Sequence, residues 1–117
     1  MILVDTSVWI DHFRAGVPRL IEDLQAGVVI THPFVIGELA LGQLRGRAEI
    51  LGLLTNLPAL EVAAHEDVLR FVADQRLAAT GIGWVAAHLL CAAADGGASI
   101  STDDAKLRKQ AACLGLL

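Results

Sequence analysis

The chain has 117 residues, 55% of them hydrophobic, with nine basic and thirteen acidic side chains and a formal net charge of -4. That length supports one domain with a real core and excludes two, and no uninterrupted apolar segment approaches the roughly 18 to 20 residues that span a bilayer. The acidic balance speaks against a protein that coats nucleic acid non-specifically. It leaves room for carboxylate clusters that hold divalent cations, because these stay formally acidic until the metal is counted.

Ile2, Leu3 and Val4 form an apolar run that ends on Asp5, followed by the hydroxyls of Thr6 and Ser7 and then Val8, Trp9 and Ile10. Such a run reads as the centre of a buried strand. Thr6 or Ser7 offers an N-cap for a short helix over residues 8–13 that turns Trp9 inward. No basic leader precedes an apolar segment, so a cytoplasmic protein is expected. Gly16 and Pro18 break the chain, residues 19–26 form a brief amphipathic helix, Gly27 stops it, and residues 28–30 read as a second strand. Thr31-His32-Pro33 opens a helix that continues to Leu41, with the threonine as its capping candidate.

Residues 45–54 form another helix, and residues 59–62 a third strand weakened by Glu61. His65-Glu66-Asp67 starts a helix that runs to about Ala79. After Thr80-Gly81-Ile82-Gly83 comes a buried helix over residues 84–94, then Gly96-Gly97 and a fourth strand over residues 98–101. Thr102-Asp103-Asp104 leads into a last helix containing Leu107, and residues 114–117 could add a terminal strand. Strands separated by helices throughout define a three-layer α/β/α sandwich around a mainly parallel sheet of four to five strands, in a single domain over residues 1–117. Cys91 and Cys113 carry no C-x-x-C spacing and read as plain buried thiols. His88 reads as a packed core histidine, and Asp95 as a helix-terminus or loop residue.

Two strand ends carry aspartates beside hydroxyls: Asp5-Thr6-Ser7 and Ser101-Thr102-Asp103-Asp104. Adjacent parallel strands would bring both to one edge of the sheet. Glu38, the only ionisable group between Phe34 and Leu41, can join them if its helix packs there; otherwise it faces solvent or a structural partner. Carboxylates gathered in one cleft repel unless a cation or shared protons hold them, and hard oxygen ligands suit magnesium or manganese. Such an ion can activate water for phosphoryl hydrolysis. The plainer account is that the aspartates cap helices.

Four motifs in series resemble the PIN-domain family, and within it the VapC-type toxin ribonucleases of bacterial type II toxin–antitoxin pairs. They are residues 1–10, Ile36-Gly37-Glu38-Leu39, the segment from Gly81 to Leu90, and Thr102-Asp103-Asp104-Ala105-Lys106-Leu107. The resemblance implies a PIN-like fold and a Mg2+- or Mn2+-dependent endoribonuclease that inhibits translation. It places the acidic catalytic and metal-holding residues at Asp5, Glu38 and Asp104, with Asp103 as an extra neighbour that could assist. Thr6, Ser7 and Thr102 would bond to the carboxylates or to metal-bound water. It further implies a cognate VapB-type antitoxin, an RNA substrate, a toxin homodimer, and contact with promoter DNA only through the antitoxin; a membrane plays no part. Arg14, Arg45, Arg47, Arg76 or Lys106 could track the RNA backbone, and the sequence does not rank them.

One position departs from the family pattern. Where relatives read Gly-Trp-(Val or Ile)-Asp-Ala-His, this chain has Trp84-Val85-Ala86-Ala87-His88. Ala86 therefore stands at the catalytic position of a missing aspartate, and a methyl group cannot coordinate a metal. Weaker cation binding and much lower turnover are expected. An engineered Asp→Ala exchange that disarms a toxic ribonuclease is the preferred account, because the other three acids are intact; a natural member that has lost the ligand is the second. The rival function is a catalytically silent PIN-fold binding protein.

Overall fold

The computed structural model describes residues 1–117. Its elements in chain order are β1 (Ile2–Val4), α1 (Thr6–Ala15), α2 (Pro18–Gln25), β2 (Val29–Ile30), α3 (Pro33–Leu41), α4 (Arg47–Thr55), α5 (His65–Asp74), α6 (Trp84–Gly96), β3 (Ser99–Ser101) and α7 (Ala105–Cys113). The sheet has the order β2-β1-β3 and is parallel throughout. Leu3 pairs with Ile30 on one side and Ile100 on the other. The apolar run at the start of the chain is therefore the middle strand, and Leu3 and Val4 lie fully inside. Helices complete an α/β/α sandwich around them. Trp9 on α1, Val35 and Leu39 on α3, Leu89 and Leu90 on α6, and Leu107 on α7 share one core.

The expected sheet of four to five strands is corrected to three. Residues 59–62 do approach the sheet, but pairing stops at a single bridge between Thr31 and Ala59. The Thr31 amide donates to Pro58 and the Leu60 amide to Thr31, each at 2.8 Å. Pro58 has no N–H to extend the ladder, and Glu61 and Val62 turn to solvent. At the other end, the Ile100 amide donates to Leu116 at 2.6 Å. Gly115, at φ +71°, breaks the extended backbone a strand would need.

Helix ends differ from expectation for local reasons. The cap position of α1 is Asp5 rather than Thr6 or Ser7, and its carboxylate makes no capping bond. His32, not Thr31, caps α3: its Nδ1 accepts the Phe34 amide at 2.9 Å. α5 ends at Asp74 instead of near Ala79, because Arg76 and Ala79 adopt left-handed backbone at φ 56° and 60°. α6 runs on to Gly96, where a Cβ would collide with Leu60 Cδ2, so a larger residue would make that leucine move. Cys91 is buried beside Val68 and Ala87, as expected, whereas Cys113 is exposed on the last turn of α7.

Candidate active site

Asp5 follows β1 directly, and its amide donates to the Ser101 carbonyl at 2.9 Å, carrying the β1–β3 pairing one residue beyond the strand. Only 8% of Asp5 is exposed. Its backbone carbonyl starts α1 by accepting the Val8 and Trp9 amides. The carboxylate instead accepts two hydroxyls on Oδ2, Ser7 Oγ at 2.9 Å and Thr102 Oγ1 at 2.8 Å. A residue type suited to capping thus spends its side chain elsewhere.

Those hydroxyls tie three segments together. Thr102 Oγ1 also accepts the Asp104 amide at 3.0 Å, and Ser7 Oγ accepts the Asp103 amide at 3.0 Å. Asp104 Oδ1 then caps α7 by accepting the Leu107 amide at 2.9 Å. On the opposite flank, Thr6 Oγ1 donates to Glu38 Oε1 at 2.9 Å. Glu38 is exposed and lines a groove of about 480 Å³ with Ile10, Phe13, Arg14, Arg45 and Ile50. Ala86 sits partly buried in the first turn of α6, packed against the main core.

One hydroxyl, Thr102, therefore joins the Asp5 carboxylate to the Asp104 backbone, while Glu38 is held by Thr6, the residue after Asp5. No three His, Cys, Asp or Glu side chains converge closely enough to hold a metal ion. The donor set nevertheless fits a hard cation in kind, being carboxylate and hydroxyl oxygen without sulfur or imidazole. Asp5 is a buried carboxylate lacking a cationic partner, for the ion pairs of the structure join Arg14 to Asp11, Arg19 to Asp23 and Arg70 to Asp67. Such a charge calls for compensation.

One acidic neighbour escaped the sequence reading. Asp11 on α1 meets Asp103: a carboxyl–carboxyl hydrogen bond with Asp11, then burial and the Asp11 charge, push the Asp103 carboxyl up, against the opposing pull of Arg108. The available signal was the spacing of four between Ser7 and Asp11, which puts both on one helix face. Behind the site, His88 packs edge-on between Phe34 and Trp84, at 4.7 and 4.9 Å between ring centroids, as a core histidine should. Asp95 lies exposed in the last turn of α6, near the Cys91 thiol at 3.9 Å.

Residues 2–112 match the PIN domain family, to which the chain belongs. Its relatives narrow the class. Ribonuclease VapC32 from two Mycobacterium tuberculosis strains, CDC 1551 / Oshkosh and ATCC 25618 / H37Rv, is 49% identical over 114 residues, which span 97% of this chain and 90% of each relative. The chain is thus a PIN-domain protein closely related to VapC-type ribonucleases, as its four motifs suggested.

Proposed function

We propose that the chain is the ribonuclease toxin of a toxin–antitoxin pair, a single PIN-like domain over residues 1–117 that hydrolyses RNA phosphodiester bonds and thereby inhibits translation. The observation that carries this reading is the buried Asp5 carboxylate at the end of the middle strand, latched by Thr102 to the Asp104 loop and flanked by the Thr6–Glu38 bond, in a chain 49% identical to ribonuclease VapC32.

Asp5, Glu38 and Asp104 are the residues that would hold Mg2+ or Mn2+, with Asp103 beside them. The ion supplies positive charge to the phosphoryl oxygens and acidifies the attacking water. Ser7 and Thr102 fix the Asp5 carboxylate by two hydroxyl bonds, so its free oxygen has one orientation. Thr6 restrains Glu38, and Thr102 sets the backbone of Asp104. Ala86 leaves the set one carboxylate short, and on this reading turnover is slow.

The same reading supplies partners: a VapB-type antitoxin, a second copy of the toxin, and promoter DNA through the antitoxin. Exposed apolar side chains support protein partners, Leu41 being 91% exposed on α3 and Leu53 exposed on α4. No helix is long and apolar enough to cross a membrane, and the reading places the protein in the cytoplasm.

A silent PIN-fold binding protein is the second reading, favoured by Ala86 and by the absence of a converged acidic triplet. The discriminating experiment compares Ala86→Asp with the chain as given in Mg2+- or Mn2+-dependent RNA cleavage. The ribonuclease reading expects a gain of about 100-fold, the order of one restored charge-stabilising interaction. Silence in both proteins would overturn it.

A further inference from the structure

The structure shows which basic side chains already have partners. Arg14, Arg19 and Arg70 are spent on aspartates. Arg47 donates from Nε and Nη2 to the Ala40 carbonyl, at 3.2 and 2.7 Å, tying α4 to α3. Arg108 acts on Asp103. Arg45, which lines the groove with Glu38, and Arg76 take part in no ion pair, and neither do Lys106 and Lys109, which alone among these stand three residues apart on one helix, α7, and hence on one face.

Both lysines line one open groove of about 530 Å³ together with Ala79, Thr80, Ala105 and Gln110. Ala105, part of its lining, directly follows Asp104 in the chain. The far wall of the groove is the loop between α5 and α6. The Thr80 hydroxyl already donates to the Leu77 carbonyl at 2.7 Å, which leaves the two ammonium groups and the Gln110 amide as donors facing the groove. Lys106 is also seated: a Cβ at Gly81 would lie 3.1 Å from Lys106 Cδ and 3.3 Å from Nζ, so its stem lies along a backbone bare of side chain. An ordered ammonium loses less freedom on meeting an anion than a waving one.

We infer that Lys106 and Lys109 form a phosphate-binding subsite that holds the backbone of single-stranded RNA beside the Asp5–Asp104 carboxylates. This rests on the ribonuclease reading and deepens it. An acidic chain that cuts a polyanion needs a local source of attraction, and this groove carries two unpaired cations, Lys106 within one helical turn of Asp104 and Lys109 on the next turn.

The test uses Lys106→Gln/Lys109→Gln in the full chain, with Lys106→Arg/Lys109→Arg and Arg19→Gln as comparisons and circular dichroism to confirm the fold. Binding of a fluorescein-labelled single-stranded RNA of about 12 nucleotides is followed by anisotropy against salt, in EDTA. Affinity should fall about tenfold and the slope of log K against log salt should flatten by about 1.4, two single-strand phosphate contacts. The arginine variant should retain both, and Arg19→Gln should change neither. In the Ala86→Asp background the glutamine variant should raise KM with kcat nearly unchanged. If Ala86→Asp cuts RNA while the glutamine pair leaves KM and salt slope untouched, or Arg19→Gln weakens binding equally, the subsite is overturned and the ribonuclease reading stands. An inert Ala86→Asp protein overturns the ribonuclease reading itself, and the subsite falls with it.

Discussion

Thr102 Oγ1 donates to Asp5 Oδ2 at 2.8 Å across 97 positions of sequence, and the same oxygen accepts the Asp104 amide. One buried hydroxyl therefore serves a strand end, a loop and a helix start together. Thr102→Val keeps the shape and removes both bonds, leaving a buried carboxylate with one fewer donor. Loss of about 2 kcal/mol of stability is expected. Urea unfolding, read as a lower midpoint at unchanged slope, checks it.

The hydrogen bond between Asp11 and Asp103, then burial and the Asp11 charge, hold the Asp103 carboxyl above its ordinary range. Asp11→Asn should return the Asp103 carboxyl toward its ordinary range, which carboxyl-carbon NMR titration would show directly. The raised group is disfavoured in its ionised form in the fold, so in the parent it adds stability as pH falls through its folded pKa. That acid-side gain should shrink in the variant. A titration curve unmoved by the substitution would contradict the contact.

Burial pushes the His32 imidazole down to about 4, and nearby His88 adds to the shift. His88 is itself lowered, by burial first and then by His65. The His32 Nδ1 also accepts the Phe34 amide, so protonation there would sacrifice the α3 cap. A folded pKa below the ordinary 6.5 means that the neutral form is the one the fold favours. Stability is whole above 6.5 and declines as pH drops toward 4, by about 3 kcal/mol in all for this residue. His32→Asn retains a capping acceptor without titrating there, and should flatten the stability profile across that window in denaturation curves.

Restoring the acid at position 86 should change the response to cations. If position 86 belongs with Asp5, Glu38 and Asp104 as proposed, Ala86→Asp adds a like charge there, so without divalent ions it should be no more stable than the parent chain. Millimolar Mn2+ should then raise its melting temperature more than that of the parent, by about 1–3 kcal/mol of added stability, through binding to the folded state alone. Differential scanning calorimetry with and without EDTA measures this. Equal responses would mean that position 86 faces no bound ion.

Much of the architecture was legible because it follows from local pattern. An uninterrupted Ile2-Leu3-Val4 can only be buried on both faces, and it is the middle strand. The hydroxyl–aspartate runs at 5–7 and 101–104 do meet, and Thr6 reaches Glu38. Edge structure was harder to see. Whether residues 59–62 become a strand depends on backbone partners beyond a single bridge, which apolar content does not report. The end of α5 was hidden because Arg76 and Ala79, rather than glycines, take the left-handed backbone. Asp11 was overlooked because its importance lies in meeting Asp103, a pairing that exists only once α1 and the loop before α7 are folded together.

The pairing of β1 with β3 also has a temporal meaning. Asp5 is made 97 positions before Thr102, whose hydroxyl fixes its carboxylate, and before Ser101, which fixes its backbone. A partly synthesised chain carries Asp5 without β3 beside it and without the Thr102 hydroxyl on its carboxylate. Any chemistry that needs the Asp5 carboxylate held in place must therefore wait until β3 has emerged and docked on β1.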